Sequence, residues 1–133
     1  MNGAVIIDDY AHHPTEIIAT LKAAKEFPHS RIRCIFQPHT YSRTRTLWNE
    51  FLTAFDDCDE LIMTHIYSAR EVYDGVTNPD ELASEIRQRG VDAKFFEKFD
   101  DIINYIKETA KDGEIIFTMG AGDVTTIGDE LVK

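Results

Sequence analysis

Residues 4–16 read AVIIDDYAHHPTE, and the fold follows from how they are read. The apolar run Ala4, Val5, Ile6, Ile7 leads into two carboxylates, a phenol and two imidazoles. Beyond them Ile17, Ile18, Leu21 and Ala24 recur at helical spacing. The spacing predicts a strand over Ala4–Asp8, a polar loop, and a helix over Thr15–Phe27 that Pro28 ends. The strand's run is apolar without alternation, which suits a strand buried on both faces of a parallel sheet. The loop therefore sits at the carboxyl end of a first strand, where open α/β sheets bind ligands. Pro14 stiffens the turn and Thr15 is placed to cap the helix. Tyr10 and His12 are two residues apart, so in extended backbone they point to one side. His13 then points elsewhere and reads as structural.

The same alternation continues outward. Arg31–Phe36 reads as a second strand, followed by the loop QPHTYSRT and a helix over Thr46–Phe55 with Leu47, Trp48, Phe51, Leu52 and Phe55 on one face. Glu60–Thr64 is a third strand. A longer loop, IYSAREVYDGVTNP, leads into a helix over Pro79–Arg89, with Asn78 as its cap, Pro79 in the first helical position and Gly90 at its end. Ala93–Phe96 is a short strand, and Asp100 or Asp101 caps the helix carrying Ile102, Ile103, Tyr105 and Ile106. Asp112 and Gly113 turn the chain into a last strand, Glu114–Met119, then GAGD and a helix over Val124–Val132. Strands alternating with helices through short connections imply an α/β fold: a three-layer α/β/α sandwich around a mainly parallel, Rossmann-like sheet with right-handed crossovers.

The 133 residues make a single domain, 1–133, with room for a real core. A formal net charge of −10 opposes nucleic acid and anionic membrane as partners, since both need a basic footprint. No apolar run reaches the length of a transmembrane helix, and the start lacks the features of a signal peptide. The two cysteines have no motif spacing, which points to the reducing cytoplasm. Cys34 reads as a core residue. Cys58, among Asp56, Asp57 and Asp59, reads as a surface one.

In a parallel sheet the loops after successive strands leave by one edge. That brings DDYAHHPTE, QPHTYSRT, the Tyr67–Tyr73 loop and GAGD together, while the opposite loops FPHS, RQRG and KDG are bland. His39 and Arg43 are four apart and share a face if the loop turns helical there. An arginine fork takes a carboxylate through two parallel hydrogen bonds, beside imidazoles that can accept or shuttle a proton. Together they suit an amino acid, with its carboxylate on Arg43 and its amine near His12 or His39. A second reading, in which Arg43 and Arg45 are solvated and pair with the acidic surface, stands open beside it. Asp8 and Asp9 fit either a strand-end turn or contacts to a ribose hydroxyl or a magnesium-bound water. His65 follows a strand and reads as a satisfied polar group, and His29 lies on the far edge. Gly120 and Gly122 allow close backbone approach but lack dinucleotide spacing, and no GxxxxGK[ST] occurs. Neither CxxC nor HExxH is present, so no metal site is expected; the nucleophile elbow GxSxG is absent too. No residue is singled out as catalytic.

DDYAHHPTE, FQPHTYSRT and TMGAGDV, in this order, resemble the C-terminal domain of the Mur ligases over nearly the whole chain. The member most resembled joins L-alanine to UDP-N-acetylmuramate in peptidoglycan precursor synthesis. The tripeptide-recycling ligase shares the first motif but differs at the second. The resemblance implies a cytoplasmic, ATP- and Mg2+-dependent enzyme in which an acyl phosphate is attacked by the amine. It implies that Tyr10, His12, His39, Arg43, Gly120 and Gly122 surround L-alanine, that Asp9 touches the ATP ribose, and that this domain alone holds no cofactor tightly and is inactive. It further implies upstream UDP-sugar and ATPase domains and an antiparallel strand before Ala4, so that the chain reads as one excised domain whose first strand lies nearer a sheet edge.

Two other classes share part of this pattern. A receiver-like signalling domain also places acids after its first strand, but it needs an aspartate after the third and a lysine after the fifth. Here those strands end in Met63-Thr64-His65 and Met119-Gly120. A metal or phosphate hydrolase built on the Asp and His cluster has too few ligands.

Overall fold

The computed structural model describes residues 2–133. Five strands, β1 (Val5–Asp9), β2 (Arg31–Phe36), β3 (Glu60–Met63), β4 (Asp92–Phe95) and β5 (Glu114–Met119), form one sheet in the order β1-β5-β2-β3-β4. Every neighbouring pair is parallel. Six helices complete the fold: α1 (Pro14–Lys25), α2 (Tyr41–Thr46), α3 (Trp48–Ala54), α4 (Pro79–Gln88), α5 (Phe99–Thr109) and α6 (Thr125–Leu131). One face of the sheet packs on α1, α3 and α4 through Ile17, Leu21, Phe51, Leu82 and Ile86. The other packs on α5 and α6 through Ile102, Ile106, Ile127 and Leu131. This is the three-layer parallel α/β architecture expected, and it excludes the receiver order, in which the first strand lies inside the sheet.

The order itself is not what the apolar first strand suggested. β1 is an edge strand, and Val5 and Ile7 are 55% and 37% exposed rather than buried on both faces. With Phe27, Ile115 and Phe117 they line an apolar groove of about 620 Å3 between β1 and α1. An apolar run signals burial, but composition does not report how many neighbours a strand has; the edge position is the one the resemblance implies.

Other differences are local. His13, not Thr15, caps α1: its Nδ1 accepts from the Thr15 N–H at 3.2 Å, and Glu16 reaches back to the His13 N–H at 3.2 Å. That reciprocal arrangement satisfies two of the helix's free donors. It also holds the Glu16 carboxyl below its ordinary range, chiefly through the His12 and His13 N–H groups. The helix expected over Thr46–Phe55 is α3, from Trp48; the QPHTYSRT loop ahead of it carries a further short helix, α2, from Tyr41, and the two join at Leu47. Lys98 rather than Asp100 or Asp101 precedes α5, leaving both acids in its first turn, where they suit the helix dipole. Cys58 is buried, its Sγ against the Phe55 carbonyl at 3.2 Å; burial and the Asp59 charge push its thiol up to about 12. Cys34 is buried as expected, and both thiols are free.

At the amino ends of the strands the sheet buries charge. Arg33 on β2 is fully buried and donates to Glu60 of β3 at 2.7 Å, Glu114 of β5 at 3.2 Å and Thr109 of α5 at 2.8 Å. Glu60 also accepts from Lys94 of β4 at 2.6 Å and from Tyr105 of α5 at 2.5 Å. Burial alone would raise the Glu60 carboxyl, but the Lys94, Tyr105 and Arg33 donors outweigh it and hold the group below its ordinary value. The network ties four strands and a helix together with every charge partnered. Removing its hub leaves the buried Glu114 with only the half-exposed Arg31 at 3.7 Å and takes one donor from Glu60, which keeps Lys94, Tyr105 and Arg31. Arg33→Met is expected to cost about 3–5 kcal/mol, read as a lowered midpoint in urea unfolding, whereas Lys133→Met, at an exposed pair, leaves the midpoint in place.

Candidate functional site

β5 enters the sheet between β1 and β2. The loops after β1 and β2 lead to helices on one face and the loop after β5 leads to α6 on the other, so a crevice opens beside the end of β5. This is the topological switch point at which such sheets hold ligands. The four loops named from the sequence meet here. A row of rings runs through it: Tyr10 and His12 are edge to face with centroids 5.5 Å apart, His12 and His39 are 5.6 Å apart, and His39 stacks on Tyr67 at 5.5 Å. Gly122 closes the row, since a Cβ there would lie 2.6 Å from Tyr67 Cγ.

Each ring is held by local structure. Tyr10 is 71% exposed and stands outward at the rim. The His12 ring lies 3.1 Å from the Tyr10 carbonyl and 3.7 Å from Glu16. His39 does not belong to α2, so the i,i+4 argument pairing it with Arg43 does not apply. Instead a parallel bridge to Tyr67 holds it. Thr40 then turns the chain at φ 63°, ψ 148°, a costly conformation for a residue with a β-branched side chain. Its hydroxyl caps α2 at the Arg43 N–H, 3.2 Å away. Arg43 is exposed and, among the described residues, makes no salt bridge; Arg45 does, to Asp74 at 2.5 Å. The surface-pairing reading thus holds for Arg45. Burial first, then the Arg43 and His12 charges, lowers the His39 pKa and favours a neutral ring.

Both acids of the first loop are engaged. Asp8 accepts from the Thr118 hydroxyl and faces Gly128 of α6. Asp9 accepts from the Ala11 N–H at 2.8 Å and from the Thr20 hydroxyl at 3.3 Å, which sets the turn of the loop. His65 is satisfied, as expected: its Nδ1 is 2.8 Å from the Glu97 carbonyl and its ring stacks on Phe99. His29 sits at the far edge against the Phe27 carbonyl.

The loop after β3 is fastened to α2. Glu71 accepts from the Tyr41 and Ser42 N–H groups, at 2.7 and 3.1 Å, and from the Ser42 hydroxyl. Asp74 accepts from the Thr77 hydroxyl, from the Val76 and Thr77 N–H groups, and from Arg45. These donors, Thr77 first, hold the Asp74 carboxyl down at about 2. Sequence reasoning missed Glu71, Asp74 and Thr40, whose partners are far along the chain or in backbone shape. It also passed over Gln37, fully buried at the end of β2, whose only signal was a polar residue straight after an apolar strand. Among the described residues no group of three or more His, Cys, Asp or Glu is placed to hold a metal ion. No helix is long and apolar enough to cross a membrane.

Residues 1–122 match the family described as Mur ligase, glutamate ligase domain. The chain is 54% identical over 132 residues to the UDP-N-acetylmuramate–L-alanine ligase of Clostridium botulinum (strain Okra / Type B1), covering 99% of this chain and 29% of that protein. It thus spans less than a third of the length of the curated relatives it matches. Among solved structures it resembles the UDP-N-acetylmuramate–alanine ligase MurC of Thermotoga maritima, with TM-score 0.76, 28% identity, and coverage of 98% of this chain and 26% of that one. A murein peptide ligase of Psychrobacter arcticus has the same fold, with TM-score 0.79, 22% identity, and coverage of 98% and 27%.

The electrostatics give a titration test. A ring whose folded pKa lies below its unfolded value stabilises the fold fully above pH 6.5, and that contribution drains away as pH falls through the folded pKa. NMR titration of the His39 ring is expected to show a midpoint below 6.5, moving upward in Arg43→Gln. Asp74 follows the same sign in a lower window: its contribution is full above 3.8 and fades only as pH falls toward 2, so amide exchange in residues 74–77 stays slow through the His39 titration.

Proposed function

Because the chain belongs to the Mur ligase, glutamate ligase domain family, we propose that it is the amino-acid-binding domain of an ATP-dependent ligase that joins L-alanine to UDP-N-acetylmuramate for peptidoglycan, in the cytoplasm. The single observation that carries this is the switch-point crevice, where an unpaired guanidinium on α2 stands beside a neutral imidazole held against a second one. An α-amino acid is the complementary ligand, since its carboxylate suits an arginine fork and its amine suits a ring nitrogen able to accept.

In this reading Arg43 takes the carboxylate of L-alanine, and Tyr10 and His12 form the outer wall. His39 faces the amine, while Gly120 and Gly122 let the last loop close over it. The amine attacks an acyl phosphate carbon of the sugar substrate: a C–N bond forms, the C–O bond to phosphate breaks, and phosphate leaves. The attacking nitrogen must shed protons, and a neutral His39 can receive one. Asp9 would contact the ATP ribose with the lone pairs left after its bonds to Ala11 and Thr20. The described residues do not fit magnesium or the ATP phosphates, because among them no metal-holding cluster is formed and the sequence has no phosphate-cradling GxxxxGK[ST] loop. Those groups belong to the remaining length of such ligases, and the isolated domain is expected to be inactive.

The test is amino-acid-dependent ADP release by the full-length ligase. A sheltered charged hydrogen bond is worth about 1.5–3 kcal/mol, so Arg43→Ala should raise the L-alanine KM roughly 10- to 150-fold while the ATP KM holds. An L-alanine KM unchanged in that variant would remove the carboxylate clamp, and no alanine dependence in the parent enzyme would remove the ligase reading itself.

A further inference from the structure

Gln37 is the one fully buried side chain at the rim with an unanswered hydrogen-bonding atom. Its backbone is locked, with its N–H donating to the Met119 carbonyl at 3.0 Å. Its side-chain nitrogen lies 3.3 Å from His65 Nε2. The His65 Nδ1 faces the Glu97 carbonyl at 2.8 Å, so that nitrogen carries the proton. In a neutral ring Nε2 is then an acceptor, and the Gln37 amide must turn its NH2 group to it. Oε1 is what remains. It is buried without a partner among the described residues. Nearly all buried polar atoms in folded proteins are partnered, and the exceptions call for an explanation.

The oxygen is not lost in the core. A Cβ on Gly122 would lie 2.8 Å from it and 2.6 Å from Tyr67 Cγ, so it points at the glycine loop and at the ring that stacks on His39. The second unpartnered buried atom is His39 Nδ1, on that same stack. Both orphans therefore gather around Tyr67, in the crevice beside β5. An orphan carboxamide oxygen can only accept. The part of an α-amino acid left over once Arg43 has its carboxylate is an ammonium or amine, rich in donors.

We propose that Gln37 is a specificity-determining residue of the amino-acid site, its Oε1 accepting a hydrogen bond from the ligand's amino group in the assembled complex. This rests on the amino-acid reading above. At Gly122 only backbone, without a side chain, stands against the oxygen, which is the closest approach a ligand group at that loop could share. The role selects for an amine over a bare carboxylic acid, which would leave the buried oxygen unpaired.

The experiment uses the full-length ligase carrying this chain, read as L-alanine-dependent ADP release with thermal unfolding alongside. Gln37→Met keeps the length and removes the acceptor, so its L-alanine KM is expected to rise about tenfold while the ATP KM stays within about twofold. Gln37→Glu keeps an oxygen acceptor but loses the donor to His65, and its L-alanine KM is expected to stay near that of the parent. Gly122→Ala forces a Cβ against the oxygen and the Tyr67 ring and is expected to raise the L-alanine KM even if Gln37→Met does not fold. An unchanged L-alanine KM in Gln37→Met or in Gly122→Ala overturns the proposal, as does equal loss in Gln37→Met and Gln37→Glu, which would assign the effect to the His65 bond. A parent enzyme with no alanine dependence is a different failure: the ligase reading falls, and this inference with it.

Discussion

The parallel insertion of β5 between β1 and β2 is the constraint from which the rest of the molecule follows. It sends the connection leaving β4 back across the sheet and puts α5 and α6 on the face opposite α1, α3 and α4. Loops on either side of β5 must then diverge, and their divergence is the crevice. The insertion also sets distances. Asp9 pairs in register with Met119, and Met119 with Phe36, so the first loop, the glycine loop and the loop after β2 start at one level. Rings carried by the first and second motif come within 5.6 Å of each other for this reason, although they are 27 residues apart in the chain.

The two ends of the sheet solve opposite problems. At the amino ends Arg33, Glu60, Glu114, Lys94 and Tyr105 make a buried network with its charges matched. Such a cluster adds little net stability against an apolar core, but it penalises any slip in register, because a slip strands a charge in the interior. At the carboxyl ends charge is left available: among the described residues Arg43 makes no salt bridge, and burial, then the Arg43 charge, lowers the His39 pKa. The chain carries a net charge of −10, yet two acids of the loop fastened to α2 are already engaged. Glu71 is engaged by Ser42 and the start of α2, and Asp74 by Thr77 and Arg45, so neither is free to neutralise Arg43.

How much of this the sequence disclosed depends on the range of the forces involved. The alternation of strands and helices rests on local periodicity, and every strand and nearly every helix lies where that periodicity puts it. The shared rim follows from parallel topology alone, so the four loops could be grouped without coordinates. What escaped reading is non-local or geometric. The edge position of β1, which depends on a strand more than 100 residues later, was implied by the resemblance and not by the strand's own apolar run. The break at Leu47 and the cap at His13 depend on how loops enter helices, and Cys58 is buried despite three acidic neighbours because its Sγ turns in to the Phe55 carbonyl. Glu71 and Gln37 look like ordinary polar residues until their partners, or the lack of one, can be seen.

The departures from local rules are distributed unevenly, and that unevenness carries an argument. Three of the four non-glycine residues at positive φ, Thr40, Ala69 and Arg70, lie in the loops after β2 and β3, and Gly120, at φ 149°, passes within a Cβ's reach of the Gln37 carbonyl. Both buried unpartnered atoms lie at the same rim. A fold that partners every charge in its Arg33 network while leaving strain and unmet hydrogen bonds at the other end is not carelessly built there. Strained backbone persists only where surrounding structure over-determines it. Here the determinants are the capping of α2 by Thr40 and Glu71 and the bridge from His39 to Tyr67. Those contacts hold donors and acceptors in place before any ligand arrives, which lowers the ordering cost of binding. An unsatisfied acceptor costs stability in the empty domain, and that cost is removed when the ligand supplies the missing donor, so the same atoms that weaken the rim sharpen its choice of ligand.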